Sequence, residues 1–317
     1  MRSPRTRLHH DHAVSDIRHF IGLEAFEPAT LRYMIERAGA LKRNPTVGRN
    51  LLAGKTLAMI FETPSTRTRI SFDVAMNELG GRSIALSPDE LQLGRGETIG
   101  DTARVMSRYV DGVLLRTKHH ESLLQLVENS EVPIINGLTD RTHPCQLMAD
   151  ILTFEEHCGP IAGRRVAWLG DGNNMAATWI QAAVQFDFSL RLACPKIYAP
   201  EVEILDWAHT RGGDVEVTED VNHAAAGADC IVTDTWISMS DDASAQKIED
   251  LRSYQVNEVV MAKAAHGAIF LHCLPAKRGL EVSTGVMDSD CSRVFDEAEN
   301  RLHAQKAILL WCLAREV

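Results

Sequence analysis

At 317 residues, the chain is long enough for two domains of ordinary size and for a core that needs no disulfide or metal staple. Its 45% hydrophobic and 24% charged residues are usual for a globular protein, and no apolar run reaches the ~18 residues of a membrane helix. Thirty-three basic against 43 acidic residues leave a net charge of -10, which argues against a nucleic-acid partner but permits a local cationic pocket for a small anion. The seven cysteines (145, 158, 194, 230, 273, 291 and 312) are odd in number, widely spaced and free of any Cys-x-x-Cys, which predicts reduced thiols in a cytoplasmic protein. Residues 1–7 are basic but lack an apolar face, so they are expected to be a frayed terminus rather than a transit peptide.

Short runs rich in Val, Ile and Leu recur at 55–61, 113–115, 132–135, 166–169, 190–194, 230–233 and 268–273, each followed by a polar turn and most by a helical pattern. Strands alternating with helices predict an α/β protein of two doubly wound domains, each with a central parallel sheet flanked by helices. Helix formers over 144–156, stopped by Gly159-Pro160, mark the junction. The expected division is 1–150, 151–298 and a C-terminal helix over 299–317, whose docking partner the pattern itself leaves open; packing back on the first domain is the expectation.

Open parallel sheets bind ligands at the carboxyl ends of their strands. Here those ends carry Ser65-Thr66-Arg67-Thr68-Arg69, Arg116, His143-Pro144-Cys145-Gln146, Asp171-Gly172-Asn173-Asn174, Asp234 and His272-Cys273. In the first of these, Pro64 resets the chain and a helix begins with Ser65 or Thr66 as its cap, running through Ile70, Val74, Ala75 and Leu79 to Gly80-Gly81. Free backbone N–H groups and the positive dipole end make an anion site there, and Arg67 adds a fork of donors suited to phosphate oxygens. Arg116 and His143 on the same edge are placed to stabilise an oxyanion.

Gly170-x-Gly172 after a strand suggests a dinucleotide site, but Met175 holds the third glycine position and the next strand ends without a ribose-binding acid. No Walker-type loop or His-Glu-x-x-His is present. His272 and Cys273 adjoin on a strand and so face opposite ways, which rules them out as a nucleophile–base dyad.

Taken together, 61–69 (Phe-Glu-Thr-Pro-Ser-Thr-Arg-Thr-Arg), 143–146 (His-Pro-Cys-Gln), 171–174 (Asp-Gly-Asn-Asn), 234–239 (Asp-Thr-Trp-Ile-Ser-Met) and 272–275 (His-Cys-Leu-Pro) resemble the aspartate/ornithine carbamoyltransferase family, in its ornithine branch. The resemblance implies transfer of the carbamoyl group of carbamoyl phosphate to the δ-amine of L-ornithine, giving L-citrulline and phosphate, in arginine biosynthesis rather than catabolism. It also implies Ser65, Thr66, Arg67 and Thr68 on the phosphate, and Arg116, His143 and Gln146 on the carbamoyl group. Gln92 would come from a neighbouring subunit, Cys273 and Leu274 would lie at the reacting centre, and Arg301 would complete the site. Asn174, Asp234, Ser238 and Met239 would bind ornithine; Arg116, His143, Asp234 and Cys273 carry the catalytic roles. A trimer or assembly of trimers is implied, with no metal or organic cofactor. Ser240 stands where the family has glycine, and Leu280 where it has an acid. Rival readings are a carbamoyltransferase for aspartate, putrescine or an acylated ornithine, a nicotinamide-dependent dehydrogenase, and a non-catalytic assembly partner.

Overall fold

The computed structural model describes residues 17–87, 90, 96–237 and 245–314. Gln92, Ser238, Met239, Ser240 and the basic opening segment lie outside them. The first part runs α1 (Pro28–Arg43), β1 (Thr56–Phe61), α2 (Thr66–Glu78), β2 (Arg82–Leu86), α3 (Ile99–Met106), β3 (Gly112–Arg116), α4 (His120–Asn129), β4 (Ile134–Leu138) and α5 (Pro144–Cys158). The second runs β5 (Arg165–Leu169), α6 (Asn174–Phe186), β6 (Ser189–Ala193), α7 (Val202–Thr210), β7 (Val215–Thr218), α8 (Val221–Ala225), β8 (Cys230–Val232), α9 (Ala245–Leu251), α10 (Glu258–Met261), β9 (Ile269–Leu271), α11 (Thr284–Met287) and α12 (Val294–Leu309).

Both sheets are wholly parallel, in the orders β2-β1-β3-β4 and β7-β6-β5-β8-β9. Chain order reverses between β1 and β3 in one and between β5 and β8 in the other, so each sheet has a crevice at the carboxyl ends of those strands. The central strands are buried along their length, as a sheet covered on both faces requires.

The seven apolar runs correspond to β1, β3, β4, β5, β6, β8 and β9, while β2 and β7 carry no such run. Both are edge strands, and in Val-Glu-Val-Thr of β7 only Val215 is buried. The other two edges are covered by chain: Phe20 pairs with β4, and Cys291 and Arg293 bond to Phe270 of β9, which keeps those strands apolar.

Helix α2 buries Thr68, Phe72, Ala75 and Met76, a stripe one step round from the expected one; Ile70 is 57% exposed. Helix α5 buries every residue from Pro144 to Phe154 and spans the junction of the two sheets. Helix α12 begins at Val294, five residues before the expected start, and packs on α1, α2 and α5. Its buried face carries Glu297, Asn300, Arg301, Gln305 and Lys306 beside Ile308 and Leu309, so an apolar stripe marks the body of the helix but not its first turn. All seven cysteines are free thiols. No helix of the described residues is long and apolar enough to cross a membrane.

Candidate active site

The carboxyl ends of β1, β3, β5 and β8 face one cleft. At α2 the N-cap is Ser65, whose Oγ accepts the Thr68 N–H at 3.3 Å. The Thr66 and Arg67 N–H groups have no partner among the described residues. Arg67 Nη2 donates to the Leu274 carbonyl at 2.7 Å, bridging α2 to the loop beyond β9. Arg116, the last residue of β3, donates through Nε to Thr63 Oγ1 at 3.3 Å. Arg301 of α12 reaches Thr68 Oγ1 at 2.8 Å with Nη2 and Gln146 Oε1 with Nη1.

Each of these guanidiniums therefore donates to a neutral oxygen while repelling the others. Burial, then Arg301 and Arg67, pushes Arg116 down to about 10. His143, the N-cap residue of α5, is held well below its ordinary range by burial first and then by Arg301, Arg116 and Arg67. It is a neutral imidazole, and its buried Nδ1 has no partner among the described residues. Three cations beside a free helix terminus, in a chain of net charge -10, form an anion site by ordinary electrostatics.

The second part supplies the facing wall. Asp234, just past β8, accepts from Cys273 Sγ at 3.1 Å and Thr235 N at 2.7 Å on Oδ1, and from Asn173 Nδ2 at 3.1 Å on Oδ2. Cys273 is pushed well above the usual thiol range by burial and by Asp234, so it is protonated and weakly nucleophilic. Leu274 rests at φ +58°, where leucine seldom sits, held by its N–H on His272 Nδ1 at 2.9 Å and its carbonyl on Arg67. The His272 ring turns away to Glu281 Oε1 at 3.3 Å, as strand alternation expects. Asp234, His272 and Cys273 bring metal-ligand atoms within 4.8 Å, but these atoms are already engaged with Leu274, Glu281 and one another.

Asn174 donates to the Thr139 carbonyl at 2.7 Å, and Thr178 Oγ1 accepts the His143 N–H at 2.9 Å, so α6 is tied to the first part at its opening turn. Gly172 lies against Tyr198 and Pro200: a Cβ there would meet Tyr198 O at 2.4 Å. The space a dinucleotide pyrophosphate would need is filled by chain. Leu280 joins the apolar cluster beneath β8 and β9, and Glu281 beside it takes the polar contacts.

The structure thus brings together Ser65, Thr66, Arg67, Thr68, Arg116, His143, Gln146, Asp234, Cys273, Leu274 and Arg301, with Asn174 at the margin. Sequence reasoning gave no site role to Thr63, Asn173, Thr178, Asp150 or Glu297. The last two had a usable signal, each lying one helical turn from a site residue: Asp150 from Gln146 and Glu297 from Arg301.

Two doubly wound units closing on a shared cationic cleft define an α/β protein with its ligand site between sheets. Residues 18–156 match the family described as the aspartate/ornithine carbamoyltransferase carbamoyl-P binding domain, and residues 162–312 match its Asp/Orn binding domain. The ornithine carbamoyltransferase of Agrobacterium fabrum is 52% identical over 298 residues, 93% of this chain and 98% of that protein. That of Brucella ovis is 54% identical over 299 residues, 94% and 96% of the two chains. Among solved structures, the ornithine carbamoyltransferase of Pyrococcus furiosus has a TM-score of 0.90 at 42% identity, covering 95% and 98% of the two chains. The anabolic ornithine carbamoyltransferase of Campylobacter jejuni has a TM-score of 0.89 at 38% identity, covering 95% and 100%. The chain belongs to the aspartate/ornithine carbamoyltransferase family.

Proposed function

We propose that this protein transfers the carbamoyl group of carbamoyl phosphate to the δ-amine of L-ornithine, releasing L-citrulline and phosphate. The observation that carries the reading is the cluster of Arg67, Arg116 and Arg301 on the free N-terminus of α2, facing Asp234 and Cys273 across one cleft. Relatives above 50% identity that bear the name ornithine carbamoyltransferase support the choice of amine.

In this mechanism Ser65, Thr66, Arg67 and Thr68 hold the phosphate with N–H, hydroxyl and guanidinium donors. Arg116 and neutral His143 donate to the carbonyl oxygen as it gains charge, and Gln146 meets the carbamoyl nitrogen. Asp234 and the Cys273 thiol orient the δ-amine, with Asn174, Ser238 and Met239 along the ornithine chain. Attack forms the C–N bond, collapse breaks the C–O bond, and the departing phosphate takes the amine proton. Positioning and electrostatics carry the rate, and the protonated thiol argues against a covalent enzyme intermediate.

The labour divides between 1–150 for carbamoyl phosphate and 151–298 for ornithine, with 299–317 returning to the first unit. Arg301 on Thr68 supports that return. The family resemblance supports a trimer or assembly of trimers, in which Gln92 would reach the adjoining subunit's site. A cytoplasmic enzyme is supported by seven free thiols, and arginine biosynthesis by the likeness to a protein described as anabolic. Colorimetric citrulline detection with carbamoyl phosphate and ornithine, run beside aspartate, putrescine and N-acetylornithine, tests the reading. Ureido product from ornithine alone is expected, and product from another amine alone overturns the assignment.

A further inference from the structure

Gln146, Asp150 and Glu297 are buried to 1% exposure or less behind the cationic cleft. Gln146 Nε2 donates to Asp150 Oδ1 at 2.8 Å and to Glu297 Oε1 at 2.9 Å, while its Oε1 accepts from Arg301. Glu297 Oε2 accepts the His272 N–H at 2.8 Å, so two buried carboxyl groups converge on one amide nitrogen. Two buried carboxyl groups that close, with no cation paired to either, cannot both stay ionised, and one proton between them relieves the repulsion. Neither has an ion-pair partner among the described residues, since Arg301 spends its Nη donors on Gln146 and Thr68.

We propose that Asp150 and Glu297 share one proton and, as positioning residues, turn the nitrogen of the Gln146 amide inward and its oxygen towards the ligand, so that the site reads the –NH2 of a carbamoyl group. The proposal rests on the carbamoyl-phosphate reading. Turning the amide over would set its oxygen against the acids and its N–H groups against a guanidinium, which costs several hydrogen bonds at once. Glu297 serves a second purpose, because the same side chain anchors the start of the 272–274 segment, to which Cys273 and Leu274 belong.

The charged and titratable groups facing the pair are Arg301 of α12, Asp234 beyond β8, Cys273 beyond β9 and Cys230 in β8. The thiols are neutral, both raised well above their ordinary range by burial. Burial lifts Asp150 to about 7, and burial with the Asp150 charge lifts Glu297 well above the carboxylate range. Above about 7 the pair therefore keeps one proton, and its loss at higher pH, when Glu297 ionises as well, leaves two repelling carboxylates that release Gln146 and draw Arg301 towards themselves.

Asp150→Asn replaces the bridging proton by an N–H at the same place and keeps an oxygen for Gln146. The test is calorimetric binding of phosphonoacetamide and of inorganic phosphate from about pH 7 to about 9.5, with thermal melts over the same range. Phosphate lacks the amide, and the ratio of the two affinities largely cancels the ligands' own ionisation. In the native protein the ratio should fall about tenfold across the range, and in Asp150→Asn it should stay level within about twofold. Asp150→Ala should depress it at every pH. Without ligand, the native melting temperature should decline more steeply towards alkaline pH than that of Asp150→Asn. A level ratio in the native protein, or matching slopes in both proteins, overturns the proposal. If neither ligand binds while the melts still diverge, the shared proton stands and the carbamoyl-phosphate reading fails instead.

Discussion

Removing the Arg67 side chain isolates the phosphate cradle from the rest of the cleft. Among the described residues Arg67 bonds to the Leu274 carbonyl at 2.7 Å and repels Arg116 and Arg301. Losing this charge-assisted bond costs about 1.5–3 kcal/mol and relieving the repulsion offsets part of it, so Arg67→Ala should stay folded and melt within several degrees of the native protein. Function is another matter. A guanidinium fork on a phosphate makes two charge-assisted hydrogen bonds of about 1.5–3 kcal/mol each, so about 3–6 kcal/mol of binding is at stake. That converts to a fall of ~10²–10⁴ in kcat/KM for carbamoyl phosphate. Citrulline formation at saturating ornithine with carbamoyl phosphate varied measures it, and circular dichroism reports the fold. A folded variant losing less than about tenfold would refute the cradle as the phosphate site.

Asp234→Ala should raise the KM for ornithine ~100-fold while leaving carbamoyl-phosphate affinity within about threefold, because Asp234 faces Cys273 and Asn173 rather than the arginines; equal loss of both ligands in calorimetry contradicts this. Cys273→Ser keeps a donor for Asp234 and should retain about a tenth of the activity, and mass spectrometry of quenched native enzyme should find no carbamoyl adduct. An adduct on Cys273 would replace direct transfer with a two-step route. His143 lies well below its ordinary value of 6.5 in the folded protein, so its contribution to stability is full above 6.5 and is lost as pH falls towards the folded value. His143→Gln should therefore lose less melting temperature than the native protein between about pH 6.5 and about 5, and equal losses would mean the imidazole is not buried neutral.

Seven of the strands and the Ser65 cap were legible because strand and helix-start signals are local: a buried parallel strand is apolar throughout, and a cap is a matter of one hydroxyl and one N–H. The edge strands β2 and β7 were not, because both are short and partly exposed and so carry a weak apolar signal. The first turn of helix α12 was missed for another reason. Its buried face is polar where it lines the cleft, so burial and hydropathy part company.

The amino-acid order alone determined which residues stand at strand ends, and hence that a cationic helix start, an arginine, a histidine and an aspartate would occupy ligand-facing edges. It also carried the motifs of the family. Only the tertiary structure decided that Arg301 reaches Thr68, that Gln146 meets Glu297 across 151 residues of chain, and that Leu274 answers Arg67. Those contacts join elements whose approach depends on how two sheets and the helices between them pack. No local spacing encodes that distance, whereas capping and strand termination are settled within a few residues of backbone.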